Sequence, residues 1–249
     1  MTRNAPIDPS LVAAFAPHGV LRASINLGNP ILANRDKTNG EPVGVSVDLA
    51  RALGRRLGVG VELVVFDKAA QSVDAVKSGK ADIGFFAIDP ARSEGLSFTA
   101  PYVLIEGSYL VKQDSSLQDN AEVDRDGLHI AVGSGSAYDL FLTREIKHAT
   151  IERIVHVPDV LTAVQQGRVD VAAGIRTMLE GWASQHPGLR LLPGRFMVIQ
   201  QAMGMPADRG PAAAAALAAF VEDMKAAGEV AASLARHGIV GGTVAPAAS

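Results

Sequence analysis

The chain contains no cysteine, which excludes disulfides, thiolate metal sites and a cysteine nucleophile. Its formal net charge is only −3, and its Lys and Arg residues are dispersed, so it carries no electrostatic footprint for nucleic acid. No apolar run approaches the length needed to span a bilayer. The six histidines, His18, His129, His148, His156, His186 and His237, show no metal-ligand spacing such as His-Glu-x-x-His. No Gly-Lys-Ser/Thr follows the one glycine-rich loop, which excludes a P-loop, and no metal or cofactor is expected. The first residues, Met1-Thr-Arg-Asn-Ala-Pro-Ile-Asp8, lack the uninterrupted apolar core of a secretory leader. Either a leader has been removed or the protein works in the cytoplasm.

What is present is α/β punctuation. A chain of 249 residues suits one large domain or two small lobes. Asp8 to Ala16 reads as a short capped helix with proline in its first turn. Leu21 to Ile25 reads as the first strand. Ser46 is a candidate cap for a helix carrying Leu49, Ala50, Leu53 and Leu57 on one face and stopping at Gly58. A strand over Gly60 to Phe66, a helix over Ala69 to Ser78 and a strand over Asp82 to Ile88 follow. This alternation predicts βαβ units and a parallel sheet. Ala75-Val-Lys-Ser-Gly79-Lys-Ala-Asp82-Ile83 is echoed by Ala163-Val-Gln-Gln-Gly167-Arg-Val-Asp170-Val171. Both read as a helix end, a glycine cap, a basic residue and an aspartate opening an apolar strand. The echo predicts two pseudo-equivalent lobes. Tyr109 to Lys112 reads as a crossover strand, Phe196 to Met203 as the return, and 211–228 and 229–238 as two helices. Disorder is expected past Gly241.

Two segments carry candidate chemistry. Ile83-Gly-Phe-Phe-Ala-Ile88 is apolar throughout, as a strand buried on both faces is. It delivers Arg92 at its end, a place for a planar two-pronged grip on a carboxylate. An ordinary surface arginine is the plainer alternative. Gly133-Ser134-Gly135-Ser136-Ala137-Tyr138 joins a strand to a helix, where consecutive N–H groups form an anion seat. A dinucleotide site is excluded there because Tyr138 stands at the third glycine position. A glycine-rich turn without a ligand remains the other reading.

Ile88-Asp-Pro-Ala-Arg92-Ser-Glu-Gly-Leu-Ser-Phe98-Thr-Ala-Pro101-Tyr102 resembles the Thr-x-Glu-Arg … Phe-Ser-x-Pro-Tyr signature of the type 2 periplasmic amino-acid-binding proteins, the family-3 extracellular solute-binding proteins. Gly44-Val-Ser-Val-Asp48-Leu-Ala50 resembles that family's Gly-Phe-x-Val-Asp-Leu-Ala, and Val76-Lys-Ser-Gly79-Lys-Ala-Asp82 its Leu-x-x-Gly-Lys-x-Asp. The resemblance runs from about Leu21 to Gly238. It implies a two-lobed α/β fold of the type II periplasmic-binding kind, each lobe a mainly parallel sheet flanked by helices, with the ligand cleft between lobes. The lobes would be residues 1–106, then 107–199, with 200–249 returning to the first. Arg92 would hold the ligand's carboxylate, with Ser136 at the family's threonine position. Phe85, Phe86 and Tyr138 would be apolar walls.

The departures from the family bear on the ligand. Asn29-Pro-Ile-Leu32 stands where the family often places a stacking aromatic. Phe85 and Ala87 hold its glycine and threonine positions, and Ile175 stands where an acidic residue grips an ammonium. Arg176, next in line, would suit a dicarboxylate or keto acid if it faces the cleft, and Asp48 or Asp89 could supply an acid from another wall. The resemblance implies a monomer that serves an ABC permease, in the periplasm if the protein is exported. The ligand would be an amino acid, keto acid or dicarboxylate. Two alternatives share the fold: a cyclohexadienyl-dehydratase-like enzyme, for which Glu106, Asp139 and Glu180 are candidate acids, and a ligand-sensing module.

Overall fold

The computed structural model describes residues 8–248; Met1–Ile7, on which the leader expectation rests, lies outside the described residues. The chain forms two compact units. Unit 1 comprises residues up to Val103, Gln200–Ile239 and the segment from Thr243; unit 2 comprises Leu104–Ile199 and Val240–Gly242. The first boundary thus falls at Val103 rather than at residue 106, and 240–242 cluster with unit 2 rather than returning with the tail.

Unit 1 opens with helix α1 (Pro9–Phe15), strand β1 (Val20–Asn26) and a small hairpin of β2 (Asn34–Arg35) and β3 (Pro42–Val43). Helix α2 (Val45–Leu57), β4 (Gly60–Phe66), α3 (Ala69–Lys77), β5 (Ile83–Ala87), the single turn α4 (Pro90–Ser93) and β6 (Leu96–Phe98) follow. Strand β7 (Val103–Lys112) carries the chain into unit 2. There β8 (His129–Gly133), α5 (Ala137–Glu145), β9 (Thr150–Ile154), α6 (Val157–Gln165), β10 (Val171–Ile175), α7 (Arg176–Gln185) and β11 (Leu189–Leu191) follow. Strand β12 (Met197–Pro206) leads back to unit 1, which ends with α8 (Pro211–Ala226), α9 (Glu229–Arg236) and, partly, β13 (Gly242–Val244).

In unit 1, β1 runs parallel to both β4 and β5, while the later residues of β12 pair antiparallel with β5 and β6. In unit 2, β10 and β9 flank β8 in parallel, and β7 pairs antiparallel with β10 and β11. Each sheet is therefore parallel at its centre and antiparallel where a crossover strand joins it. All five residues of β5 are buried, which explains the absence of polar alternation in its sequence. Its outward partner cluster in unit 1 gathers Val73, Val76, Phe86 and Leu96; that of unit 2 gathers Leu110, Val160, Val164, Ala172 and Leu179.

The repeated sequence forms the same device twice. Gly79 and Gly167 adopt φ of 72° and 71° to end their helices, a conformation that favours glycine. In unit 1 the Asp82 N–H donates to the Arg22 carbonyl at 2.8 Å, and Asp82 Oδ2 accepts the Arg22 N–H at 3.0 Å. In unit 2 the Asp170 N–H donates to the His129 carbonyl at 3.0 Å, and Asp170 Oδ2 accepts the His129 N–H at 2.8 Å. Each aspartate thus clamps the strand beside its own and sets the parallel register that follows, Ala23 opposite Ile83 and Ile130 opposite Val171. Asp82 is also buried, and its charge is met by Arg22 at 2.7 Å and Arg209 at 3.3 Å.

Two local expectations are corrected. Ser46 does not cap α2; it is buried within the first turn, and Gly44 takes the cap at φ 126°. A Cβ there would stand 2.5 Å from the Leu32 carbonyl oxygen, so only glycine lets the chain pass this close. Residues 242–248, past Gly241, are ordered. The Ala245 N–H donates to the Tyr102 carbonyl at 3.0 Å, and the buried Lys225 ammonium donates to the carbonyls of Pro101 at 3.1 Å and Pro246 at 2.8 Å. Glu222 lies 2.7 Å from the same ammonium.

Asp82→Ala, which strands two arginines beside an emptied position, is expected to cost about 3–5 kcal/mol. Asp170→Ala removes one exposed side-chain acceptor and is expected to cost about 1 kcal/mol. Urea unfolding midpoints of the two variants check the difference. Lys225→Met is expected to lower stability by about 1 kcal/mol by removing the donor shared by the Pro101 and Pro246 carbonyls. It should also speed proteolysis of the last residues, read by mass spectrometry.

Candidate functional site

In unit 1 the candidate group is presented by the turn after β5. The Ile88 N–H donates to the Gln200 carbonyl at 2.9 Å, which holds the end of the strand. Asp89 then caps α4: its Oδ1 accepts from the Ala91 N–H at 2.9 Å, and its carbonyl accepts from the Ser93 hydroxyl at 2.9 Å. Proline at the first helical position fits this turn. Arg92 sits in the last turn, only 6% exposed. Burial pushes its guanidinium pKa down, and the Asp89 carboxylate opposes that shift. The side chain nevertheless stays cationic at physiological pH. A buried cation needs compensation, and Asp89, itself buried, supplies negative charge beside it.

The other first-unit candidates have local partners. Asn29 shapes a turn: its Oδ1 accepts from the Ile31 N–H at 3.2 Å, and its carbonyl accepts from the N–H groups of Leu32 and Ala33. Phe85 packs edge-on against Tyr102 at 6.3 Å. Phe86 packs against Phe98 at 6.2 Å as a member of the core, and Ala87 is buried between them in sequence and Ile88. Asp48 is engaged as well. Its Oδ2 accepts from the Ser233 hydroxyl, from Arg236 at 2.7 Å and from His237 Nε2 at 2.9 Å, tying α2 to α9. A cavity of about 400 Å³ beside it is lined by Arg51, Arg55, Glu229 and Arg236 and contains none of the other candidates.

In unit 2, Ser136 caps α5, its Oγ accepting from the Asp139 N–H at 3.2 Å. Asp139 reaches back, its Oδ2 accepting from the Gly135 N–H at 2.8 Å. Part of the anion seat is therefore filled from within by a buried carboxylate. That carboxylate also accepts from Arg153 Nε at 2.9 Å. The spacing Ser136-x-x-Asp139 is the signal that reveals this in the sequence. Ser134 is exposed, and its N–H donates to the Ile154 carbonyl at 2.9 Å. Ala137 and Tyr138 are buried. Tyr138 meets Phe196 edge-on at 5.8 Å, and Phe196 stacks on Tyr109 at 4.2 Å. Burial pushes the Tyr138 hydroxyl pKa upward, and that hydroxyl has no hydrogen-bond partner among the described residues.

Ile175 caps α7, and Arg176 is its first residue. The Arg176 guanidinium donates to Glu180 at 2.8 Å, to Glu106 at 3.3 Å and to the Gly194 carbonyl at 3.2 Å. Glu106 accepts in turn from Arg195 at 2.7 Å. The cation expected to serve a second carboxylate already holds two. Ile88, read from the sequence as the last residue of the buried strand, lies beyond β5 and is exposed, and the exposed Val155 and Val157 after β9 went unread. Single apolar residues in loops give no periodic signal to find them by.

Residues 28–238 match the bacterial extracellular solute-binding proteins, family 3, and the chain belongs to that family. It is 27% identical over 152 residues to the arginine-binding periplasmic protein of Mannheimia haemolytica, a match covering 60% of this chain and 61% of that one. The fold matches the solute receptor for L-cysteine of Neisseria gonorrhoeae with a TM-score of 0.74 at 24% identity, over 91% of this chain and 92% of that one. It also matches an ancestral amino-acid-binding protein described as a precursor of cyclohexadienyl dehydratase, with a TM-score of 0.74 at 21% identity, over 90% and 97% of the two chains. The architecture is the two-lobed α/β fold of the type 2 periplasmic binding proteins. The chain spans less than two thirds of the length of the arginine-binding relative.

Asp139→Asn is expected to lower stability by about 1–3 kcal/mol, because Arg153 loses its countercharge and the Gly135 N–H its anionic acceptor. Urea unfolding checks this, with faster amide exchange at Gly135 as the local readout.

Proposed function

We propose that this chain binds a small carboxylate-bearing metabolite without transforming it and serves an ABC-type uptake system as its solute-binding protein. The observation that carries this reading is the buried Arg92 guanidinium at the end of β5. A desolvated, planar, permanently charged fork is suited to two-point recognition of a carboxylate. The Ser134 to Ser136 loop, with the N-terminus of α5 behind it, is the proposed contribution of unit 2. The amino-acid-binding names of the relatives support an amino acid, and the absence of an acidic side chain at Ile175 keeps a keto acid in the proposal. A dicarboxylate loses support because Arg176 is already paired with Glu106 and Glu180. The permease partner, the monomeric state and a periplasmic location belong to the same proposal.

The dehydratase alternative requires a carboxylic acid free to protonate a leaving hydroxyl. Each of its candidates is instead engaged by a guanidinium: Glu106 by Arg176 and Arg195, Glu180 by Arg176, and Asp139 by Arg153. Carboxylates held in this way act as acceptors. The binding reading is therefore preferred.

A thermal-shift screen of amino acids, keto acids, dicarboxylates and prephenate tests the proposal. Ligand at about 100 times its Kd adds about 2.7 kcal/mol, about 5–10 °C in Tm for a chain of this size. Arg92→Lys keeps the charge and loses the fork, and is expected to weaken binding at least tenfold; Arg92→Ala is expected to abolish it. Wild-type affinity in both variants would overturn the assignment of Arg92, and conversion of prephenate would overturn the binding reading.

A further inference from the structure

We infer that the segment from Ile239 to Ala245 is a latched strap, a third covalent path between the two units, and that its hold on Thr177 limits the arrangements the units can take. The inference goes beyond the binding reading and does not depend on it. Strands β7 and β12 are the two crossovers that carry the chain into unit 2 and back. The tail makes a further excursion: Ile239 belongs to unit 1, Val240–Gly242 to unit 2, and the chain from Thr243 to unit 1 again.

Each part of this excursion is anchored within its own unit. In unit 2 the Thr177 hydroxyl donates to the Val240 carbonyl at 3.4 Å. Gly241, at φ 93°, passes so close to Thr177 that a Cβ would stand 2.3 Å from Oγ1 and 2.6 Å from Cγ2. Both the dihedral and the close approach suit glycine alone. The Val240 side chain stays in solvent, so this anchor is made by the backbone of the strap.

The footing on unit 2 is firm. Thr177 follows Arg176 in the first turn of α7, and Arg176 is held by Glu106, Glu180 and the Gly194 carbonyl. Leu179, two residues on, belongs to the unit 2 core. In unit 1 the strap starts where the Ile239 N–H closes α9 on the Leu234 carbonyl at 2.9 Å, and it ends where the Ala245 N–H meets the Tyr102 carbonyl at 3.0 Å. Lys225 then holds Pro246. There is little slack between these anchors. Val240 follows Ile239 directly, and the three steps from Gly242 to Ala245 reach roughly 10 Å when fully extended. Parting the units beyond that reach pulls the strap from Thr177. A contact that is either made or broken gives two states rather than a continuum. Arg92 lies in one unit and the Ser134–Ser136 loop in the other, so the strap limits how freely the two proposed recognition elements part.

The chain has no cysteine, so Lys77→Cys on α3 and Gln165→Cys on α6 give a single spin-label pair with one label in each unit. Both positions are exposed. Double electron–electron resonance on the purified full chain then reads the distribution of distances between the units. Two variants release the strap by different means. Gly241→Val drives its backbone off Thr177. Insertion of Gly-Ser-Gly-Ser between Gly242 and Thr243 lengthens it and leaves every anchoring residue in place. Each is expected to give a wider distribution that reaches distances the parent pair does not populate. The insertion should change Tm by no more than about 2 °C, because lengthening a short loop costs little. Distributions unchanged in both variants would overturn the inference. Broadening in Gly241→Val alone, together with a fall in Tm, would mean local damage to unit 2 and would overturn it as well.

Discussion

The hydrogen bonds between a strand-opening aspartate and the backbone of the strand beside it set the geometry on which both units depend. A parallel pair has no tight turn to fix its register, and a one-residue slip exchanges its two faces. Asp82 against Arg22 and Asp170 against His129 remove that freedom at the first residue of each pair. In unit 1 this fixes where β5 ends, and so where Arg92 emerges. In unit 2 it fixes β8, whose last residue opens into the Ser134–Ser136 loop. The two aspartates differ in one respect: Asp82 is buried with two arginines, whereas Asp170 is exposed. Unit 1 thus adds an ionic layer to a device that unit 2 builds from backbone contacts.

The sequence made this repetition legible because helix end, glycine, aspartate and apolar strand are all local signals. The buried strand ahead of Arg92 was legible for the same reason. What escaped were features decided by distant neighbours. Gly44 caps α2 because the Leu32 carbonyl passes too close for any side chain, a constraint set by the loop before it. Ser46, a better cap by type, is drawn into the first turn. The tail after Gly241 looks polar and short of structure. Its order comes from Lys225 and Tyr102, far away in the sequence.

The candidate residues divide in the same way. Arg92 could be placed at a strand end from sequence, but its burial and its electrostatic relation to Asp89 are decided by how the turn after β5 packs. Arg176 has a suggestive position, yet Glu106 and Glu180 reach it from a crossover strand and from the next turn of its own helix. Phe86 reads as a pocket wall in one dimension and belongs to the core in three. Within unit 2, Asp139 pairs with Arg153, and Arg176 with Glu106 and Glu180.

Unit 1 is built from both ends of the chain, and its closing segment lies under the Lys225 ammonium. Unit 2 is almost wholly contiguous. During synthesis, residues 104–199 are complete while most of β12, α8, α9 and the strap at Ala245–Pro246 are still to come. Domains fold as their residues emerge, so the later part of the chain can settle before the earlier part is finished. Unit 1 is completed only once α8, α9 and the Ala245–Pro246 strap have been made, so its first segment waits for residues that follow nearly all of unit 2.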